Sequence, residues 1–100
     1  MVDIARPLFG MGRLLATPAA LQAMEGSGQS PAEFLGRHVR GDWGAVSEGD
    51  GLLNDDAVKD GTRILSAYVT NNGTKIWIIT EATGDDGKRV ATTILLPEEY

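Results

Sequence analysis

His38 is the only histidine of the chain, and Asp42 follows it four residues later. An imidazole positioned by a carboxylate can act as a general base. The two side chains would meet on one face of a helix, but Gly41 is expected to end that helix before Asp42 is reached. The pattern therefore favours a structural or capping role for His38 near a helix C-terminus, where positive charge is stabilised.

No metal or cofactor site is predicted. Zinc sites draw on cysteines and on several histidines, and this chain has no cysteine and a single histidine. The sequence also contains no phosphate-binding glycine loop and no strand-turn-helix nucleophile motif. We therefore expect no cofactor, and we lean towards a protein that is not an enzyme.

Three basic residues keep a catalytic alternative open. Arg63, Lys75 and Arg89 begin the three predicted strands, and with His38 they could supply the acid–base and phosphate-binding roles of a small ribonuclease. Helices followed by an antiparallel sheet are also the layout of barnase-like and RelE-like toxin nucleases. Such folds bind RNA through a basic sheet face, whereas this chain carries a net charge of −5.

The acidic residues are concentrated in one stretch. Between positions 48 and 60 a single base, Lys59, stands against five acids: Glu48, Asp50, Asp55, Asp56 and Asp60. A run of charge usually forms a solvated surface. The alternative is an acidic patch that meets a basic partner surface or imitates the charge of a nucleic acid. Direct nucleic-acid binding is disfavoured, because its affinity comes largely from Lys and Arg side chains that neutralise phosphates.

The two tryptophans allow two interpretations. Trp43 lies in the turn Asp42-Trp43-Gly44 and Trp77 lies in the second predicted strand. Either side chain can fill the core, or it can anchor a partner, since tryptophan is enriched at binding hot spots. The candidate partner-binding surface consists of these tryptophans and nearby acids: Trp43, Trp77, Asp42, Glu48, Asp50, Asp55 and Asp56.

The C-terminal forty residues predict three strands, at 63–70, 75–81 and 89–96. In the second strand both alternating faces are apolar, which favours a central position. Asn72-Gly73 is a strong hairpin signal because both residues tolerate positive φ. The economical arrangement is a meander in sequence order, and residues 12–16 are a further candidate for an edge strand.

The apolar face of such a sheet needs a cover, and two short helices precede it. Thr17-Pro18 opens the first helix, with threonine at the N-cap and proline at the first helical position. Ser30-Pro31 opens the second, and Glu33 completes the pattern of a capping box. A third helix is placed at about 53–59, because Gly49 and Gly51 weaken an earlier start.

The predicted fold class is α+β: an αα-hairpin and a third short helix on a three-stranded, or with residues 12–16 four-stranded, antiparallel meander. One hundred residues allow a single domain, placed at 12–100 behind a flexible or extended arm at 1–11. No apolar run approaches the roughly 20 residues of a membrane span, and residues 1–6 lack the basic start and apolar stretch that mark a secretory signal. A cytoplasmic protein with no membrane contact is the expectation.

Several stretches together resemble a family of small bacterial proteins carried on plasmids and other mobile elements, called plasmid-related proteins. They lie at residues 12–18, 37–44, 63–68, 75–82 and 92–100, and the strings W-I-I-T-E and T-T-x-L-L-P-x-x-Y are the most specific. Some members are labelled type I restriction endonuclease subunit M, an activity that requires a far larger cofactor-binding domain. Where the family has a tight A-D-R-S turn, this chain has the longer segment 82–89. The resemblance implies a mobile-element setting and no established activity.

The leading functional expectation is a non-catalytic, protein-binding accessory of a mobile element that acts on a host or defence protein through its acidic surface. The first alternative is the toxin-like ribonuclease, with His38, Arg63, Lys75 and Arg89 as its site. The second is a helix-turn-helix DNA-binding protein that uses residues 31–40 as its recognition helix. A homodimer formed through a sheet edge is a further partner expectation.

Overall fold

The computed structural model describes residues 7–100, and it confirms the α+β class. The chain forms three helices and a four-stranded sheet, and it ends in a short 3-10 turn. The elements are β1 (Arg13–Ala16), α1 (Pro18–Gly26), α2 (Pro31–Val39), α3 (Glu48–Asp60), β2 (Ile64–Val69), β3 (Lys75–Thr80), β4 (Ala91–Leu95) and the 3-10 turn Pro97–Glu99.

The sheet has the strand order β1-β4-β3-β2. The predicted meander of β2, β3 and β4 is confirmed, with antiparallel register pairs such as Ser66 with Ile78 and Ile78 with Ile94. The candidate edge strand is present as well, and it pairs with β4 in parallel, so the sheet is mixed. A parallel neighbour is possible because the whole of α1 to β3 separates β1 from β4 in the chain.

One face of the sheet is covered by the first two helices. Its alternating residues from β2, β3 and β4 are buried, and they pack on Ala20 and Met24 of α1 and on Phe34 of α2. A second buried cluster lies beside it, where Trp43, Ala57 of α3 and Ile64 of β2 meet. Both clusters therefore lie between the helices and this face, while Ile79 and Leu95 are buried on the opposite face.

The helix starts depart from the prediction in two places. α3 begins at Glu48, because the Ser47 hydroxyl accepts a hydrogen bond from the Asp50 N–H at 3.1 Å and this cap outweighs the two glycines that follow. The capping box predicted at Ser30 is not formed: Ser30 makes no side-chain cap, and the Glu33 carboxylate accepts from Gln29 instead. Proline at the first helical position still favours that start.

The first described residues are packed rather than loose. Residues 7–11 have no regular structure, yet the Leu8 N–H donates to the Val39 carbonyl oxygen at 2.8 Å. The Phe9 ring is buried edge-on against His38, with ring centroids 5.2 Å apart. The expected arm at 1–11 therefore contributes to the core from Phe9 onward, while residues 1–6 lie outside the described part of the chain.

The outer edge of β2 is closed by side-chain and main-chain groups. The Asn54 amide donates to the Leu65 carbonyl oxygen at 2.8 Å and accepts from the Leu65 N–H at 3.2 Å. The Ala67 N–H and C=O bond to the main chain on either side of Gly44. Gly44 has φ of 73°, and a Cβ there would lie 2.0 Å from the Ala67 carbonyl oxygen. Only glycine fits this close approach.

Candidate protein-binding surface

The helix α3 carries all five predicted acids on one exposed, well-anchored element. It is fixed at its start by the Ser47 cap and in its middle by Asn54, which bonds to β2. Its inner face is formed by Asn54 and Ala57, with Gly51 and Val58 half-buried beside them. The remaining positions point outward, because buried positions recur every three to four residues on a packed helix.

Two large apolar side chains lie on the outer surface of α3 among the acids. Leu52 is 60% exposed and Leu53 is 66% exposed. Leu52 and Asp56 are four residues apart and are therefore neighbours on one helix face. No acid of α3 forms an ion pair with another residue in the range 7–100. We call this surface the α3 outer face: Glu48, Asp50, Leu52, Leu53, Asp56 and Asp60.

Trp43 belongs to the core and not to a binding surface. It is only 7% exposed, and it stacks on Phe9 with ring centroids 6.2 Å apart. Its indole N–H donates to the Asp55 carboxylate at 3.0 Å. The predicted role of Trp43 as an exposed anchor is therefore not supported by its position. Asp55 has a structural role that the sequence did not reveal, because nothing in the spacing of 12 residues marks the pair.

Asp42 is occupied by an ion pair. Its carboxylate accepts from the Arg37 guanidinium at 2.7 Å and from the Gly44 N–H at 3.2 Å. The hydrogen bond with Arg37 is the main reason that the pKa of Asp42 is lowered from its usual value. Arg37 also stacks over the Tyr68 ring, 4.6 Å from its centroid. Asp42 is thus committed to holding the end of α2, and it does not orient His38.

Trp77 lies on the sheet face opposite the helices. It is half-buried there, edge-on against Tyr100 with ring centroids 5.7 Å apart. Together with Ala67, Val69 and Pro97 it lines a shallow cavity of about 250 Å³.

The predicted partner-binding set is therefore not a single surface. Glu48, Asp50 and Asp56 lie on the α3 outer face, and Trp77 lies on the far side of the sheet. Trp43 with its partner Asp55, and Asp42 at the end of α2, are committed to the fold.

His38 is fully buried and links α2 to the sheet. Its Nδ1 lies 2.5 Å from the Ser66 hydroxyl on β2, and its Nε2 lies 2.8 Å from the Thr80 hydroxyl on β3. Thr80 in turn lies 2.7 Å from the Thr92 hydroxyl on β4, and that hydroxyl donates to the Met11 carbonyl oxygen. The chain of hydrogen bonds crosses three strands and ends on the main chain.

The end of this chain fixes the protonation of the imidazole. Because Thr92 donates to a carbonyl oxygen, its own oxygen accepts from Thr80, and the Thr80 oxygen accepts from the Nε2–H of His38. The unprotonated Nδ1 then accepts from Ser66. Burial, assisted by the charge of Arg89, lowers the pKa of His38 from 6.5 to about 4, so the imidazole is neutral near pH 7. Both ring nitrogens are occupied, and neither is open to a substrate.

Arg89 caps the C-terminus of α3. Its guanidinium is buried and donates to the Ala57 carbonyl oxygen at 2.9 Å, to the Thr62 carbonyl oxygen and to the Glu81 carbonyl oxygen at 3.2 Å. These contacts place a positive charge at the negative end of the helix dipole. Sequence reasoning missed this role, because 32 residues separate Arg89 from Ala57.

The four residues of the predicted nuclease site are not assembled. Lys75 lies at the opposite end of β3 from Thr80, the partner of His38, about 17 Å away at the usual rise of a strand. Arg63 is exposed and stacks over Tyr100, 4.9 Å from the ring centroid. A groove of about 650 Å³ beside the end of α3 is lined by Arg89 but by none of the other three.

The recognition helix of the DNA-binding alternative is largely committed to the fold. Phe34, His38 and Val39 face the core, and Arg37 is paired with Asp42. Its remaining exposed base, Arg40, stands at the helix end. This arrangement leaves few polar side chains free to read bases.

Neither a metal-binding group nor a membrane-spanning helix is found in the part of the chain that the structure describes. Within residues 7–100 no three His, Asp or Glu side chains converge to hold a metal ion. No helix in this range has the length and apolar character needed to cross a bilayer.

Comparison with known proteins gave no match. The chain matches no family model, no curated protein and no solved structure.

Proposed function

We propose that this chain is a non-catalytic binding protein whose α3 outer face docks on a basic surface of a partner protein. The observation that carries the proposal is the exposed pair Leu52 and Leu53 set among the acids of a firmly anchored helix. A contiguous apolar patch rimmed by charged residues is typical of a surface that a partner covers, and Leu52 and Leu53 are adjacent and both exposed.

The two kinds of side chain have different roles in this proposal. The leucines supply apolar contact area that loses water on binding, and the burial of apolar area favours association. The exposed carboxylates attract a basic partner from a distance and select against acidic ones, an effect that weakens as salt rises. The fitting partner surface is an apolar groove rimmed by Lys and Arg.

The anchoring of α3 supports the same role. A helix held by Ser47, Asn54 and Arg89 is already in its bound shape. Binding then costs little conformational entropy, and more of the contact energy appears as affinity.

The biological setting is proposed from the resemblance to plasmid-related proteins. In that setting the chain is an accessory of a mobile element, and the partner is a host or defence protein. Its placement in the cytoplasm is part of the same proposal.

The test is affinity capture from a host lysate with a matched pair of double variants. In Leu52→Gln/Asp56→Asn the α3 outer face loses one apolar and one acidic side chain that are neighbours. In Val90→Gln/Asp85→Asn the same chemical changes are made at exposed positions near the β3–β4 turn. The wild-type chain and the second variant should retain one basic protein that elutes as salt is raised, and the first variant should lose it.

Two results would contradict the proposal. One is the recovery of no protein at either low or moderate salt. The other is a partner retained equally well by Leu52→Gln/Asp56→Asn. Circular dichroism of both variants shows that a loss of capture does not come from unfolding.

A further inference from the structure

Among residues 7–100 no strand pairs with the outer edge of β1, in contrast to the closed edge of β2. The Arg13 N–H donates to the Val90 carbonyl oxygen at 3.2 Å, and the Thr17 N–H donates to the Ile94 carbonyl oxygen at 3.0 Å. Alternate residues of a strand direct their main-chain groups to opposite sides. The N–H and C=O of Leu14 and Ala16 therefore point away from β4, and β1 has no other neighbour among the described strands.

This edge has only part of the usual protection against pairing. Edge strands in monomers are protected by short length, charged side chains, proline or a bulge, and β1 has its four-residue length and Arg13. Here Leu14 is 52% exposed and Leu15 is 43% exposed, and Arg13 is the only charged residue of the strand. An apolar edge with unpaired main-chain groups is a template for another strand.

We propose that a second copy of this chain pairs with β1, strand against strand in antiparallel fashion, to form one continuous eight-stranded sheet about a two-fold axis. The register follows from the strand limits. Gly12 has φ of 65° and leaves the extended conformation, and Pro18 begins α1. The register that satisfies all the outward groups of Leu14 and Ala16 places Leu15 opposite itself and Leu14 opposite Ala16 of the second copy.

The side chains of this register fit one another. A large residue, Leu14, stands opposite a small one, Ala16, on the helix side of the sheet. The two copies of Leu15 meet at the axis on the other side, where directly opposed apolar pairs stabilise a sheet. Symmetry repeats each contact, so the interface is self-complementary, as a two-fold interface requires.

Charge complementarity at the ends of the strand favours a second copy over an unrelated peptide. In the same register Arg13 stands opposite Thr17 of the second copy. The Thr17 hydroxyl donates to the Glu99 carboxylate at 2.7 Å, so a negative charge is held beside that position. Arg13 forms no ion pair within residues 7–100. Two Arg13–Glu99 pairs, one at each end of the interface, are the result.

Sedimentation equilibrium of the whole chain tests this interface. The wild-type chain should show a reversible monomer–dimer equilibrium that strengthens at low salt. Arg13→Glu replaces two attractions by two repulsions and should weaken the dimer about tenfold or more. Leu15→Lys places two like charges at the axis and should abolish it. Val69→Lys introduces a lysine at an exposed apolar position on β2, at the opposite edge of the sheet, and should leave the dimer intact.

A chain that stays monomeric at every soluble concentration would overturn the proposal. A dimer that persists equally in Arg13→Glu and Leu15→Lys would also overturn it, because another surface would then be in use. Far-UV circular dichroism confirms that each variant is folded. Should Leu15→Lys unfold, Arg13→Glu alone decides, since Arg13 is an exposed side chain whose reversal leaves the core unchanged.

Discussion

Lowering the pH from 7 to 5 should destabilise this protein through His38. The folded state holds the imidazole neutral, with a pKa of about 4, whereas the unfolded chain has a pKa near 6.5. Between these values the unfolded state binds more protons, so stability is fully present above pH 6.5 and is lost as pH falls towards 4. Linkage gives a loss of about 2 kcal/mol between pH 7 and pH 5, and about 3 kcal/mol below pH 4.

The chain of hydrogen bonds around His38 explains why local rearrangement does not remove the free-energy cost of protonating it. Protonation adds a hydrogen to Nδ1, which then has to donate to Ser66, and the Ser66 hydroxyl loses its acceptor. The site is fully buried, so water does not replace the lost bond. A domain of this size is stable by about 5–15 kcal/mol, so a loss of 2 kcal/mol is easily measured.

Urea unfolding at pH 7, 6 and 5 measures this loss, and His38→Gln is the control. The glutamine amide can accept and donate as the neutral imidazole does, but it does not titrate. The carboxylates contribute equally to the pH dependence of both proteins. The free energy of unfolding of the wild type minus that of the variant therefore reports on His38 alone. That difference should fall by about 2 kcal/mol between pH 7 and pH 5, which is a shift of roughly 1 M urea.

An equal pH dependence of the wild-type protein and His38→Gln would refute this reasoning. An NMR titration measures the pKa of His38 directly. The imidazole of the folded protein should remain the neutral Nε2–H tautomer at pH 5. A midpoint near 6.5 would show that His38 is solvated or unpaired.

Three further substitutions test the contacts that anchor α3 and close the edge of β2. Arg89→Met should lower the free energy of unfolding by about 3 kcal/mol, measured in urea, because carbonyl oxygens at the end of α3 lose a charged donor. Asn54→Ala should cost about 1–2 kcal/mol and speed hydrogen exchange of the β2 amide that its side chain now covers. Gly44→Ala should cost at least about 2 kcal/mol because its Cβ would overlap the Ala67 carbonyl oxygen, whereas Gly28→Ala, with similar φ and open space, should cost only about 1 kcal/mol. Equal thermal shifts for the two alanine variants would contradict the steric argument.

Local patterns were sufficient to predict the meander of β2, β3 and β4, but not the parallel pairing of β1 with β4. The apolar character of both faces along residues 75–80 indicated an interior strand. The Asn-Gly signal indicated the hairpin to β2, in which Gly73 alone takes positive φ, at 85°. The starts of α1 and α2 followed from their Thr-Pro and Ser-Pro pairs. Each of these features depends on residues close together in the chain, so the sequence alone contains the signal.

The features that escaped prediction depend on residues far apart in the chain. In the sequence, Asn54 is an ordinary polar helix residue and Arg89 is a basic residue at the start of a strand. Their roles depend on partners in β2 and at the end of α3, which are distant in the chain. His38 was expected to have a structural or capping role near a helix C-terminus. It is instead buried in the core, where Ser66 and Thr80 satisfy both of its ring nitrogens. These contacts join residues that are far apart in the chain, so no rule based on sequence spacing predicts them.

The binding role of the α3 outer face can be measured directly by NMR with the captured partner. The ¹⁵N-labelled chain is titrated with that protein, and the amide shifts are followed residue by residue. We expect shifts concentrated between Glu48 and Asp60, strongest around Leu52 and Leu53, and weakened by salt. Shifts confined to the open sheet face around Trp77, with α3 unchanged, would contradict this binding role.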